Sequence, residues 1–174
     1  MTPQLMHAAT NPIGTQVLSV HGASWMSSLL CLGGLSAAPF SGSLADKFGR
    51  KVFGYVALIP MLLSWLLILF AQNHIHIYVA RFIGGIAGTM AIFIVSTYVG
   101  EIASESVRGF LGSFLIFSIN VGILMAFVAG TYLSFSLFHT LCLVFPVIFG
   151  ISFFFLPESP VYLMRQNRYS EATR

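Results

Sequence analysis

Residues 53–72 have the sequence FGYVALIPMLLSWLLILFAQ, in which twenty consecutive positions carry no charged side chain. About 20 apolar residues in an α-helix cross the ~30 Å hydrocarbon layer of a membrane. The apolar residues follow one another without the alternation of a barrel strand, so the stretch indicates a helix. A helix also satisfies its own backbone hydrogen bonds where water is absent. We therefore predict that this run spans a bilayer.

Four other runs have the same character, and Arg81 is the one charged residue inside any of the five. The five predicted spans are residues 24–44, 53–72, 77–99, 110–132 and 140–156. This pattern predicts an all-α fold, a polytopic bundle of membrane helices. Residues 1–23 are expected to form an external segment with the remnant of a preceding helix. Residues 157–174 are expected to begin a cytoplasmic helical region.

The composition excludes several classes of function. The chain of 174 residues is 57% hydrophobic and 7% charged, whereas soluble domains carry about 25% charged residues. No nucleophile–base pair, carboxylate pair or cluster with metal-ligand spacing is present, so we expect no enzyme, no catalytic residue, no metal and no cofactor. The formal charge of +3 is small, and no basic stripe interleaves with aromatic residues, which excludes a nucleic-acid partner. The lipid bilayer is the predicted partner.

The connections between the spans differ sharply in their cations. Seven Lys and Arg residues lie in residues 45–52, 100–109 and 157–174, and none lies in residues 1–23, 73–76 or 133–139. By the positive-inside rule the first group is cytoplasmic. The sequence thus predicts an integral membrane protein, with a plasma-membrane location, an external N-terminus and a cytoplasmic C-terminus. An external start without a signal sequence suggests that an upstream helix is missing.

The charged residues of the cytoplasmic side form a candidate network. Arg50 and Lys51 stand at the predicted start of a helix, where the macrodipole disfavours cations, so anions are expected beside them. Exposed ion pairs stabilise by only ~0–1 kcal/mol each, which favours a conformational latch over a purely stabilising role. Independent solvated charges that enforce topology are the alternative. The predicted members are Asp46, Arg50, Lys51, Glu101, Arg108 and Glu158.

Small residues recur at every fourth position in three spans. They are Gly34, Ala38 and Gly42, then Gly84 and Gly88, and finally Gly122, Ala126 and Gly130. Small residues allow the backbones of membrane helices to approach closely, so the pattern predicts a tight bundle. Arg81 is expected about one turn from the outer end of its helix, where its side chain can reach the interface.

Three motifs carry a family resemblance. The sequence GSLADKFGRK at residues 42–51 resembles the loop between the second and third helices of the major facilitator superfamily. RFIGG at 81–85, YVGE at 98–101 and RG at 108–109 resemble the fourth-helix signature of its sugar porters and the link that follows. PESP at 157–160 resembles the motif that closes the sixth helix of these carriers, and residues 120–130 resemble trehalose-transporter-like members. The resemblance implies that the five spans are helices two to six of the N-terminal half of a major facilitator fold.

The resemblance also implies a function. A carrier of this kind moves a small sugar, trehalose or a hexose, by alternating access between two halves. The missing partners would then be the first helix and the C-terminal half, and residues 1–174 alone would be inactive. The alternative is a non-transporting five-span protein or an accessory partner of a full carrier.

Two departures from the family pattern bear on the substrate. Ser96 stands where the family has a helix-bending proline, and Ile116 stands where hexose carriers place a glutamine that binds sugar. The predicted substrate pathway is therefore at Ile116, Ile119 and Asn120. Asn120 lies one helical turn after Ile116 on the same face, and its amide is expected to turn inward. It serves either as a pathway contact or as a polar link between helices.

Overall fold

A computed structural model describes residues 19–155 and Met164. The described residues form five α-helices: α1 (Val20–Phe48), α2 (Arg50–Leu69), α3 (His74–Ile102), α4 (Glu105–Tyr132) and α5 (Phe135–Phe155). All five are long and apolar enough to cross a membrane. The predicted all-α class and the five apolar helices are confirmed.

Four of the five helices are longer than the charge-free runs from which the spans were counted, whereas α2 has 20 residues, as its run does, but lies three residues earlier in the chain. α1, with 29 residues, is about 43 Å long at 1.5 Å per residue, more than the ~30 Å of hydrocarbon. Helical hydrogen bonding continues through the charged turns, so Asp46, Glu101 and Glu105 are helical rather than in loops. α1 begins at Val20, so the last residues of the expected external segment are helical. Most of residues 1–23 and 157–174 lie outside the described part of the chain.

One turn between helices depends on a glycine. Gly49 is the single residue between α1 and α2, and its φ is 90°. An L side chain is strained in that conformation, whereas glycine adopts it freely. The reversal is therefore abrupt, and Arg50 begins α2 directly beside the last turn of α1.

α3 is the centre of the bundle, because α1 packs along one side of it and α2 along another, while α5 packs against α2. The larger core cluster lies toward the charged end and consists of Ala45, Phe53, Ala57, Met90, Ile94 and Phe153. A smaller cluster of Met26 and Ile77 lies toward the opposite end. α4 differs from the other helices, since none of its residues is buried in the described structure.

The close crossing of α1 and α3 is a backbone contact. A Cβ on Gly33 would overlap the carbonyl of Phe82, and a Cβ on Gly85 would overlap the carbonyl of Leu30. The predicted tight packing therefore holds at this crossing, and Gly34, whose Cβ would lie 2.7 Å from Thr89 Oγ1, contributes to it. Gly33 and Gly85 are neighbours of the stripe residues rather than members of the stripes.

The small-residue pattern fails on α4. A Cβ on Gly122 would meet no atom within 4 Å, and one on Gly130 would just reach the ring of Phe138. The expected close contacts through these residues are not formed, because no other described helix covers that face of α4. Gly88 of α3 is likewise open.

Candidate functional site

Arg50 is the centre of the charged end of the bundle. Its Nη2 lies 2.6 Å from Oε1 of Glu101, and its Nε donates to both oxygens of the same carboxylate at 3.0 and 3.1 Å. The pair is bidentate, the geometry that gives Arg–carboxylate bonds their strength and direction. The side chain of Arg50 is 5% exposed and that of Glu101 is 15% exposed. The pair joins the start of α2 to the end of α3 and is shielded from water.

The remaining nitrogen of the Arg50 guanidinium binds the end of α1. Nη1 lies 2.9 Å from Oδ1 of Asp46 and donates to the carbonyl of Ala45 at 3.0 Å. The start of α2 is an unfavourable position for a cation, because the helix macrodipole is positive there. The carboxylates of Asp46 and Glu101 offset this effect, and so does the Ala45 carbonyl at the negative end of the α1 macrodipole. A single side chain therefore connects three helices.

Lys51 makes a separate connection, to α5. Its Nζ donates to the carbonyl of Phe154 at 3.0 Å and lies 5.7 Å from the centre of the Phe154 ring. A cation that binds the last carbonyls of a helix is favoured by the macrodipole. Arg50 and Lys51 together tie the charged ends of α1, α2, α3 and α5.

Arg108 is placed differently from the other predicted members of the network. Its Nη2 donates to the carbonyl of Ala103 at 3.4 Å, so it contacts the end of α3 rather than the Glu101 carboxylate. Its side chain is exposed. Glu158 lies outside the described residues. The structure thus brings Asp46, Arg50, Lys51 and Glu101 to one end of the bundle and leaves Arg108 at its edge.

The predicted pathway residues all lie on α4. Ile116 is 61% exposed and Ile119 is 40% exposed. Asn120 is exposed, and its Nδ2 donates to the carbonyl of Ile116 at 2.9 Å. Its donor is bound within its own helix and no other described helix covers it, so the inward orientation of this amide stays a prediction for the longer carrier.

Arg81 lies deeper than the sequence suggested. α3 begins at His74, so Arg81 is about two turns inside the helix rather than one, and it is half-buried. The expected distance of about one turn from the outer end of the helix is therefore wrong, and the reach of the side chain to the interface stays a prediction.

Two features of the charged end have no signal in the sequence. The bond from Lys51 to Phe154 joins a side chain to a backbone carbonyl, and backbone acceptors carry no residue-type signature. The second feature is an open groove of ~380 Å³ between the end of α3 and the start of α4. Its lining residues are mostly apolar, and in the sequence they cannot be distinguished from the other apolar residues of the helices.

The chain is similar in sequence to known sugar transporters. A profile described as "Sugar (and other) transporter" matches residues 2–174. The chain is 32% identical over 173 residues to the facilitated trehalose transporter Tret1 of Drosophila virilis, covering 99% of this chain and 19% of that protein. It is 31% identical to the sugar transporter ERD6-like 6 of Arabidopsis thaliana, covering 94% of this chain and 33% of that protein.

Solved structures show the same arrangement of helices. The proton:xylose symporter XylE of the major facilitator superfamily, bound to 6-bromo-6-deoxy-D-glucose, matches 98% of this chain with a TM-score of 0.78 and 20% identity, over 40% of that chain. A partially occluded inward-open form of XylE from E. coli matches 98% of this chain with a TM-score of 0.79 and 18% identity, over 47% of that chain. These likenesses confirm the expected major facilitator fold. The chain spans about a fifth of the length of the trehalose transporters it matches.

Proposed function

Because this chain belongs to the sugar (and other) transporter family, we propose that its five helices serve in sugar transport as part of a longer carrier that works by alternating access. The observation that carries this proposal is the family match over residues 2–174, together with the major facilitator arrangement of the helices. Trehalose is the favoured substrate, since the chain is 30–32% identical to several insect trehalose transporters over 99% of its length. The related proteins are transporters, and the expectation that the chain is not an enzyme agrees with them.

The network around Arg50 supports a role as a conformational latch. An alternating-access carrier rocks one repeat or half against the other around a central site. The Arg50 bonds to Asp46 and Glu101 and the Lys51–Phe154 bond hold α1, α2, α3 and α5 of one half at the same end, so that they move as one body. Asp46, Glu158 and Arg108 complete the proposed network, with Arg108 attaching α4 to the end of α3. None of these residues contacts sugar in this proposal.

The proposed orientation of the chain in the membrane follows from the cations at the charged end of the bundle. Lys47, Arg50 and Lys51 cluster where α1 meets α2, and Arg108 lies at the same end through its bond to Ala103. Cations gathered at one end of a bundle favour its placement in the cytoplasm. The N-terminus is then external, and the C-terminus is cytoplasmic, in a plasma-membrane carrier.

A chimeric carrier tests the proposed transport. Residues 24–155 would replace the matching segment of the Drosophila virilis trehalose transporter, and labelled trehalose uptake would be measured in oocytes beside surface expression. We expect saturable uptake by the chimera and no uptake by residues 1–174 alone, because one half provides a single wall of a central site. A chimera that reaches the surface without uptake contradicts the proposed substrate. Uptake into proteoliposomes that hold only residues 1–174 contradicts the need for further helices.

Asn120 is the polar side chain that we propose faces the sugar pathway. In the chimera, Asn120→Leu is expected to lower trehalose uptake about ten-fold, the effect of losing one hydrogen bond to a polar substrate in a dry site. Ser118→Ala is the matched control, since the Ser118 hydroxyl likewise donates within its own helix, to Phe114 at 2.8 Å, but lies on another face of α4. Equal uptake by both variants at equal surface expression would assign Asn120 to packing between helices.

A further inference from the structure

We propose that the groove between the end of α3 and the start of α4 binds an anionic phospholipid, with an acyl chain in the groove and the phosphate on Arg108. The groove has a volume of ~380 Å³, within the range of small-molecule sites in proteins. It lies at the charged end of the bundle. Its lining includes Tyr98, Ile102, Ala103, Ser104, Val107 and Leu111.

The lining matches the hydrocarbon part of such a ligand. Most of the groove surface is apolar, and Ile102 and Val107 are 48% and 44% exposed. No residue of α4 is buried in the described structure, so no other described helix covers the groove on its α4 side. An acyl chain enters such a groove from the bilayer without crossing water.

The cation at the edge of the groove matches the headgroup. The Arg108 guanidinium is held there by its 3.4 Å bond to the carbonyl of Ala103, a residue of the lining. That bond uses one N–H, and among the described residues no other acceptor is recorded for this exposed side chain. The remaining donors can bind phosphate oxygens, which suit the planar guanidinium fork.

The polar groups near Arg108 narrow the choice of headgroup. The hydroxyl of Ser104 is in the lining and lies 3.2 Å from that of Ser106, which adds hydroxyl donors at the edge. Glu105 lies in the first turn of α4, while Glu101 is already bound by Arg50. A nearby carboxylate disfavours a polyphosphate and favours a headgroup that carries an amine as well as a phosphate. Phosphatidylserine has that composition together with a net negative charge.

Charge complementarity with the bilayer supports the same occupant. The groove opens at the end that carries Lys47, Arg50 and Lys51, the end that the positive-inside rule places at the cytoplasmic leaflet. That leaflet carries the anionic lipids, and basic pockets between membrane helices on this side bind anionic headgroups. This inference requires that the chain spans a bilayer, but it does not require sugar transport.

Photocrosslinking in nanodiscs tests the site. Residues 1–174 would be reconstituted in phosphatidylcholine doped with a photoactivatable phosphatidylserine, and adducts would be mapped by mass spectrometry. We expect adducts concentrated in residues 98–111, about ten-fold fewer with Arg108→Gln because a hydrogen bond to a charged group is lost, and most of the yield kept with Arg108→Lys. Lys47→Gln, which removes an exposed cation of the same end outside the groove, is expected to change nothing.

A second variant keeps the test decisive if Arg108→Gln does not fold. Val107→Trp fills the groove from an exposed position and leaves Arg108 in place, and it is expected to remove the same adducts. Three results would overturn the proposal: equal yields from Arg108→Gln and Lys47→Gln, equal labelling by photoactivatable phosphatidylcholine, or crosslinks at residues 98–111 that join two copies of the chain. The last would assign the groove to a second copy.

Discussion

Replacing Arg50 by methionine is expected to lower the free energy of unfolding by about 3 kcal/mol, the cost of removing one partner from a buried ion pair. The substitution deprives the Glu101 carboxylate, 15% exposed, of its bidentate guanidinium, and it removes the link to Asp46 and the Ala45 carbonyl. Titration of the purified chain with SDS in mixed micelles, followed by circular dichroism, measures the change.

Two further variants identify the cause of that loss. Lys47→Met removes a cation from the same end, but Lys47 is exposed, so its effect is expected within about 0.5 kcal/mol. The double variant Arg50→Met with Glu101→Met is expected to recover most of the stability, because replacing both partners by apolar groups leaves no buried charge without its partner. A loss with Arg50→Met no larger than that of Lys47→Met would contradict a shielded pair.

The second large effect is expected at the crossing of α1 and α3. Gly85→Ala places a methyl group against the carbonyl of Leu30, a backbone atom that cannot turn aside as a side chain does. The two helices must separate along their length, which costs about 3 kcal/mol, the upper part of the range for overpacked sites. The same SDS titration measures it, together with loss of the purified folded fraction on size-exclusion chromatography.

Gly88→Ala is the matched control for this substitution. Gly88 lies on the same helix three residues later, and a Cβ there would meet no atom within 4 Å. Alanine has the higher helix propensity, so the control is expected to be neutral or to stabilise by up to about 1 kcal/mol. If both substitutions cost the same, the stability of the bundle does not depend on the close approach of Gly33 and Gly85 to the opposite backbone.

The number and type of the helices were predictable from the sequence because both follow from local properties. A run such as residues 53–72, which lacks the alternation of a barrel strand, satisfies its backbone hydrogen bonds in lipid as a helix. The ends of the helices were less predictable, since hydrogen bonding continues past the last apolar residue into turns that contain Asp46 and Glu101. A change of composition marks the edge of the hydrocarbon, whereas a cap or a glycine such as Gly49 marks the end of a helix.

The charged end was predictable in part. The need of Arg50 for nearby anions followed from its position at a helix start, and the structure places Asp46 and Glu101 beside it. The placement of Arg108 depends on the angle between α3 and α4, which residue types do not determine. The uncovered face of α4 was also not predictable from the sequence. The spacing of Gly122, Ala126 and Gly130 is the same whether or not another helix packs against that face.

Successive helices cross the membrane in opposite directions in the proposed arrangement, and thiol labelling in sealed vesicles measures this alternation. In a background with Cys31→Ser and Cys142→Ser, the single variants Lys47→Cys and Asn73→Cys would be treated with an impermeant maleimide before and after permeabilisation. These two positions lie at opposite ends of α2. We predict that one of them is already labelled in intact vesicles, whereas the other is labelled only after permeabilisation. Labelling of both from the same side would contradict the membrane-spanning arrangement and the sugar-carrier proposal that depends on it.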